Sequence, residues 1–410
     1  MNKKIALLLL LLLFPLALSG CWDRQELESL GFVQALGLEL NPDHKTITVT
    51  TMIAIPSKLG VSGAEGGSEG SGVIIAETKA PSIYEAFNLI NTSINREITL
   101  RQNQILVIGE TMAKAGVGKW IDNLVRFREM RRTLLLFIGQ GKIKELFSVK
   151  PQLEKNPAEY IGDLVNLYPK TAMYPRMTVN NFMGPYESYA QANYAPLISQ
   201  VITPSKPPAA KEADKAADSG GEKPAPTDLR INGTAVFRAD KLVGNLDLYE
   251  TQILQLLTNH FEEALLTIDD PRKKDNNISL RLLQSGPSTR IKYRKQADRD
   301  NFTVKINLEA ELLSIQSGLD YTVPEMEALL ARQIDRVLKS RINRVIAKVQ
   351  HQYQADIFGF GLKVRNTMLT SEDWEKYHWS ARFPKALIKT RVKTAIRRVG
   401  VQFRPPQHRP

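Results

Sequence analysis

From residue 31 onward the chain switches repeatedly between two hydrophobic periods. "GFVQALGLEL" and "KTITVTTMIAI" read as two strands joined by a turn, "NPDH". Ile47, Val49, Ile53 and Ile55 share one side of the second segment, as a half-buried strand requires. "VIIAET" continues the sheet, and "PSIYEAFNLINTSINR" then takes the helical period. There Ser82 followed by Glu85 matches a capping box, in which side chains satisfy the free N–H groups of a first helical turn. Ile83, Phe87, Ile90 and Ile94 line one face of that helix. "QILVIGE" reads as a short buried strand, and a second helix is expected from Lys119 to about Arg131, carrying Ile121, Leu124, Val125 and Phe127. "TLLLFIG" is another buried strand, so strands and helices alternate as in an α/β layer structure.

The same alternation continues downstream. Pro157 suits a helix start, and "PAEYIGDLVNLY" follows it. "YAPLISQVI" reads as a strand, and "LRINGTAVFRADKLVGNLD" as a hairpin turning near "RADK". "ISLRLLQ", "TRIKYRK" and "FTVKINLEAELLSI" alternate as strands. The longest periodic segment runs from Pro324 to about Asp356. Leu330, Ile334, Val337, Ile342, Val345, Val349 and Tyr353 form one side, and Arg332, Arg336, Lys339 and Arg341 the other. Such a helix is expected to lie across a sheet. "FGFG" ends it, and "IKTRVKTAIRRVG" is a closing strand. The expected fold is mixed α/β, with three lobes each built as a mixed sheet covered by helices: 21–149, 150–267 and 268–403, followed by a basic tail at 404–410. Two stretches lack the apolar residues that would offset the entropy of ordering. Residues 60–72, rich in Gly and Ser, read as a mobile loop. Residues 203–228, rich in Pro, Ala and Lys, read as a disordered insert between strands that pair with each other.

The N-terminal pattern is of another kind. Lys3 and Lys4 precede an apolar run from Ile5 to Leu18, broken only by Pro15. A membrane span needs about 20 apolar residues, so this run is a secretory h-region, expected to be removed as residues 1–20. It ends in Leu18-Ser19-Gly20-Cys21, an aliphatic residue, two small residues and the chain's single cysteine. That order is similar to a bacterial lipobox, in which the thiol receives a diacylglyceryl group and the new N-terminus an acyl chain. Two or more chains anchor stably where one does not. With Cys21 spent as an anchor, no thiol remains for a disulfide, a zinc–thiolate site or cysteine-protease chemistry.

The formal charge is +12, and from Lys376 to Pro410 there are ten Lys or Arg residues and no acid. This end fits attraction to an anionic membrane face or an acidic partner. It fits equally a charged strand edge that resists edge-to-edge pairing. Nucleic acid is not an expected partner of an exported, anchored protein. His44, His260, His351, His378 and His408 are scattered, and none falls in a metal-ligand motif. "AGVGKW" lacks the first glycine and the Ser/Thr of a phosphate loop, and there is no nucleophile elbow. Asp269-Asp270 and Glu372-Asp373 sit where carboxylates cap turns and helix starts. Trp374 and Trp379 are expected to pack the last helix onto the sheet. No catalytic residue and no metal site are assigned. The remaining candidate is the cluster Arg126, Arg128, Arg131 and Arg132, whose guanidinium forks suit an acidic partner surface or a lipid headgroup. The competing role for these arginines is complementing a helix dipole and forming exposed salt bridges.

Several of these segments occur together in one known family. "GCWDRQELESLGFVQALGLE", "SIYEAF", "QILVIGETMAKAG", "DNLVRFREMRRT", "NGTAVFRADKLVGNLD", "DIFGFG" and the ending with Trp374, Trp379, "FPK" and "IRRVG" resemble the Ger(x)C family. These are the C subunits of spore germinant receptors, and the likeness runs from Cys21 to about Phe403. The resemblance implies a non-enzymatic lipoprotein on the outer face of the inner spore membrane. It implies assembly with an integral membrane A subunit and a permease-like B subunit into a nutrient receptor that triggers germination. It also implies three α/β lobes, and no cofactor beyond the lipid on Cys21. The alternative is an independent lipid-anchored solute-binding protein, with Arg126 or Arg131 meeting a ligand carboxylate in a cleft between lobes.

Overall fold

The computed structural model of the chain describes residues 29–54, 73–149, 157–202, 227–284, 286–296 and 299–398. Cys21, the leader, the Gly/Ser loop, most of the 203–228 insert and the 404–410 tail lie outside the described residues.

Among the described residues, nine strands form the first sheet: β1 (Leu30–Leu40), β2 (Ile47–Ala54), β3 (Val73–Ala80), β4 (Glu97–Thr99), β5 (Ile105–Gly109), β6 (Leu135–Gln140), β7 (Tyr194–Ile202), β8 (Thr227–Arg238) and β9 (Lys241–Leu246). Their order is β3-β2-β1-β5-β6-β7-β8-β9, with β4 beside the start of β1. The centre β1-β5-β6-β7 is parallel and both flanks are antiparallel. Parallel neighbours need crossovers, and helices supply them. These are α1 (Ile83–Asn91), α2 (Glu110–Ala115), α3 (Gly118–Val125), α4 (Ile143–Phe147), α5 (Pro157–Asn166), α6 (Tyr168–Thr171) and α7 (Val179–Ser188). The central strands are consequently buried on both faces. Ile105 and Val107 join Phe137 under α4 and α5, while Leu106 and Ile108 join Leu136 and Ile138 under α1, α2 and α3.

The helix α8 (Leu248–Thr258) leads to a second sheet of five strands: β10 (Glu263–Asp269), β11 (Asn277–Leu283), β12 (Thr289–Gln296), β13 (Arg299–Ile315) and β14 (Leu387–Arg398). Here β13 presents Phe302, Val304, Ile306, Leu308, Ala310 and Leu312 to the core at period two. The long helix α9 (Pro324–Lys348) lies over this sheet and buries Leu330, Ile334, Leu338, Ile342, Val345 and Ile346. It continues as a π-helical turn at Val349–Tyr353. The short helices α10 (Phe360–Arg365), α11 (Ser371–Tyr377) and α12 (Trp379–Arg382) then return the chain to β14, which runs parallel to β13.

The fold is mixed α/β as expected, and the described residues form two sheets where the sequence reading expects three lobes. β6 pairs in parallel with β7, Ile138 opposite Leu197, so residue 150 falls inside a crossover of one continuous sheet. The expected boundary at 267 falls inside β10. One apolar core also runs from the inner face of the first sheet to that of the second. The expected pairing across the insert is present: β7 and β8 are antiparallel, with Ile202 opposite Thr227. Thr227 and Asp228, placed in the insert by composition, belong to β8, where Asp228 accepts a hydrogen bond from Tyr160 Oη.

Candidate functional site

The four arginines do not sit on a helix. The helix expected to reach Arg131 stops at Val125, and Arg126 is its C-cap. The chain then forms a pinned turn. Phe127 folds back to stack on Tyr84, with centroids 4.4 Å apart, and meets Phe87 edge-on at 5.7 Å. Glu129 accepts hydrogen bonds from Thr99 Oγ1 at 2.8 Å and Leu100 N at 2.9 Å, and pairs with Arg101. The backbone beyond is fixed by Asn180 N donating to Arg132 O and Val179 N to Leu134 O. A helix continued to Arg131 would forfeit all of these bonds. Arg126, Arg128, Arg131 and Arg132 are all exposed. The turn places the four at the end of the first sheet where β6 begins.

A second feature, which sequence reading misses, is the corner where the two sheets meet. Asp356 is buried at the start of "DIFGFG", and its carboxylate accepts five N–H groups. Oδ1 takes those of Phe358 (3.2 Å), Gly359 (3.0 Å) and Phe360 (3.2 Å). Oδ2 takes those of Gly361 (2.7 Å) and the Trp379 indole (3.0 Å). Burial pushes this carboxyl up to about 6, against the opposing pull of the donors. The turn needs Gly359, whose φ is +76°. It also needs Gly361, which lies against the Ala190 carbonyl and the Trp379 ring.

The first half of the chain docks onto this corner through Ala192 N to Asp356 O (2.8 Å), Gln191 Nε2 to Ile357 O (3.0 Å) and Trp374 Nε1 to Ser188 O (3.1 Å). Both tryptophans are buried, and each indole N–H bridges distant segments. A cavity of about 550 Å³ opens beside the corner, lined by Trp374, Trp379, Tyr189, Asn193 and Arg238 among others. None of Arg126, Arg128, Arg131 and Arg132 lines it. Asn193 is 2% exposed, and its carboxamide has no hydrogen-bond partner among the described residues.

The other buried carboxylates, Asp300 and Asp270, and the exposed Asp373 are committed internally. Asp300 accepts from Tyr293 Oη, Tyr377 Oη and Arg382 Nε. Asp270 caps its own turn through Arg272 N and Lys273 N and accepts from Ser317 Oγ and Tyr321 Oη; these bonds outweigh burial and lower its pKa. Asp373 forms a reciprocal cap with Thr370 at the start of α11. Among the described residues no group of His, Cys, Asp and Glu is placed to hold a metal ion, and no helix is long and apolar enough to cross a membrane. The exposed side of β14 carries Lys389, Arg391, Lys393 and Arg397, and among the described residues this strand pairs only with β13, at a sheet edge.

Comparison with known proteins matches both halves of the chain in order. Residues 23–200 fit the model of the spore germination protein N-terminal domain, and residues 232–400 that of the spore germination B3/GerAC-like C-terminal region. Spore germination protein KC of Bacillus subtilis (strain 168) is 24% identical, with 100% of this chain and 99% of the relative covered. Spore germination protein YndF of the same organism is 21% identical over 98% of both chains. The crystal structure of the GerBC protein superposes with a TM-score of 0.53 at 16% identity, covering 90% of this chain and 99% of the other, so the fold is shared. Both domain models, full-length relatives and a common architecture agree, and the chain belongs to the Ger(x)C (GerAC) family of spore germination proteins.

Proposed function

We propose that this chain is the C subunit of a nutrient-germinant receptor, held through lipid on Cys21 at the outer face of the inner spore membrane. It acts there without catalysis, docking onto integral membrane A and B subunits and supporting the state that triggers germination. The observation that carries the reading is the match of both domain models, in order, to a chain whose first domain begins just after a lipobox-like Leu18-Ser19-Gly20-Cys21. The Asp356 corner supports a docking role, because it ties the two sheets into one body able to pass a displacement from one face to the other. The test is germination of spores lacking this chain and any paralogue. Loss of the response to at least one nutrient, restored by the wild type and not by Cys21→Ser, is the expected result. A full response to every nutrient rejects the reading.

A second reading, a lipid-anchored solute-binding protein, is favoured by one observation: the cavity beside Asp356 with the unpartnered Asn193 carboxamide on its wall. Calorimetry of the detergent-solubilised chain against amino acids and sugars separates the two. Saturable binding that Asn193→Leu abolishes supports the second reading, and no heat supports the first.

A further inference from the structure

The first described residues and the arginine turn occupy one end of the first sheet. Leu30 opens β1 opposite Glu97 of β4. Ala35 pairs in parallel with Ile105, and Ile105 with Leu135, so β1, β4, β5 and β6 all begin at that end. The segments feeding those starts, 96–104 and 126–134, hold six arginines against two glutamates. One of the glutamates, Glu129, is occupied by Arg101, Thr99 and Leu100. Arg96 donates to Leu30 O, at the point where the chain enters. Arg126, Arg128, Arg131 and Arg132 are exposed, and no side-chain partner holds them among the described residues. Beside them Tyr84, 52% exposed, lies flat on Phe127, an apolar ring with a polar tip of the kind found at membrane interfaces.

We propose that this end of the sheet faces the bilayer that holds Cys21, and that Arg126, Arg128, Arg131 and Arg132 bind its anionic phospholipid headgroups. The proposal rests on the anchored reading of Cys21 and adds to it an orientation and a lipid preference. Leu30 lies nine positions after Cys21, and a link of that length spans at most about 30 Å. The arginine end is thus the part of the described structure that the anchor holds nearest to the headgroups. Charge attraction to a membrane fades within about 10 Å, so a cluster at the tethered end is effective where one at the far end is not. Guanidinium forks match phosphate oxygens in pairs. The turn that carries them is fixed by Glu129 and by backbone bonds to α7, so little further ordering is required on contact.

The test uses the full chain purified from membranes and placed in nanodiscs of phosphatidylcholine, with or without phosphatidylglycerol. Intact mass first reports whether Cys21 carries lipid. Hydrogen exchange of 126–134 is expected to slow in the anionic discs only, to recover at high salt, and to lose its lipid dependence in R126Q/R128Q/R131Q/R132Q. Circular dichroism of that variant checks that it folds. Equal exchange in both discs with a lipidated Cys21 overturns the proposal and leaves the anchor standing. Protection that appears only when membrane subunits co-purify also overturns it, and assigns the rim to an acidic protein face. If Cys21 is unlipidated, the anchor reading fails by itself. Flotation of the same chain with phosphatidylglycerol vesicles then decides the rim: loss of flotation in the four-glutamine variant sustains it, and no flotation rejects it.

Discussion

Replacing Gly361 by alanine tests whether the Asp356 corner is as tightly fixed as its geometry implies. A Cβ at this position would sit 2.5 Å from Trp379 Cδ1 and closer still to the Ala190 carbonyl oxygen and Trp379 Nε1. The carbonyl cannot retreat freely, because Ala192 N, two residues on, donates to Asp356 O. The indole must move instead. Overpacking a fixed core costs about 1–3 kcal/mol, and losing the indole bond to a charged acceptor costs about 1.5–3 kcal/mol more. The restricted unfolded chain returns about 0.4–1 kcal/mol, leaving a net loss of about 2–5 kcal/mol. Gly184→Ala is the matched control. Gly184 lies inside α7, a Cβ there meets nothing within 4 Å, and alanine is expected to stabilise by about 0.5–1 kcal/mol. Urea unfolding followed by tryptophan emission reads both variants, since Trp374 and Trp379 flank the corner. A Gly361→Ala loss below about 1 kcal/mol, the size of an ordinary surface change, would refute the reasoning.

Two more outcomes are expected, one at the same corner and one in the core. The folded chain holds the Asp356 proton up to about pH 6, against the ordinary 3.8, and so binds more protons than the unfolded chain between those values. The contribution of this group is full below about pH 4 and declines as pH rises through 6, by about 3 kcal/mol in all; Asp356→Asn is expected to flatten that part of the pH–stability profile, and an unchanged slope contradicts the assignment. Leu338→Ala, on the buried face of α9 at a position 2% exposed, is expected to lose about 2–5 kcal/mol in the same urea assay, and a loss under about 1 kcal/mol would mean that α9 is not seated on the second sheet.

Local periodicity made most of the strands and the long helix legible, and contacts between distant segments decided the rest. The alternation in β13 and the apolar run of β5 are readable because one face or both are buried along the whole strand. The stripe on α9 is read correctly except at its edge: Val337 is only half-buried and Leu338 carries the contact, since successive residues lie only 100° apart on a helix. The alternation of Ala264, Leu266 and Ile268 in β10 is visible in the sequence, but the lobe boundary placed at 267 cuts through it. The single sheet shared by the first two expected lobes rests on β6 pairing with β7 across a crossover of more than fifty residues, which no local pattern encodes. The arginines were identifiable, and their setting was not, because Tyr84 and Thr99 pull the turn out of helix from far upstream. Gly359 and Gly361 are legible as breakers, whereas Asp356 gains its role only from Trp379 and the Ala190–Ala192 backbone. Asn193 carries no local signal at all.

The central claim is that this chain works as one subunit of a membrane receptor, and co-purification from native spore membranes tests it most directly. The chain would be solubilised in mild detergent, captured through a C-terminal tag and examined for what accompanies it. The account predicts two multi-spanning membrane proteins in fixed proportion to the chain, with lipid on Cys21. Recovery of the chain alone, from membranes in which its neighbours are intact, would contradict it.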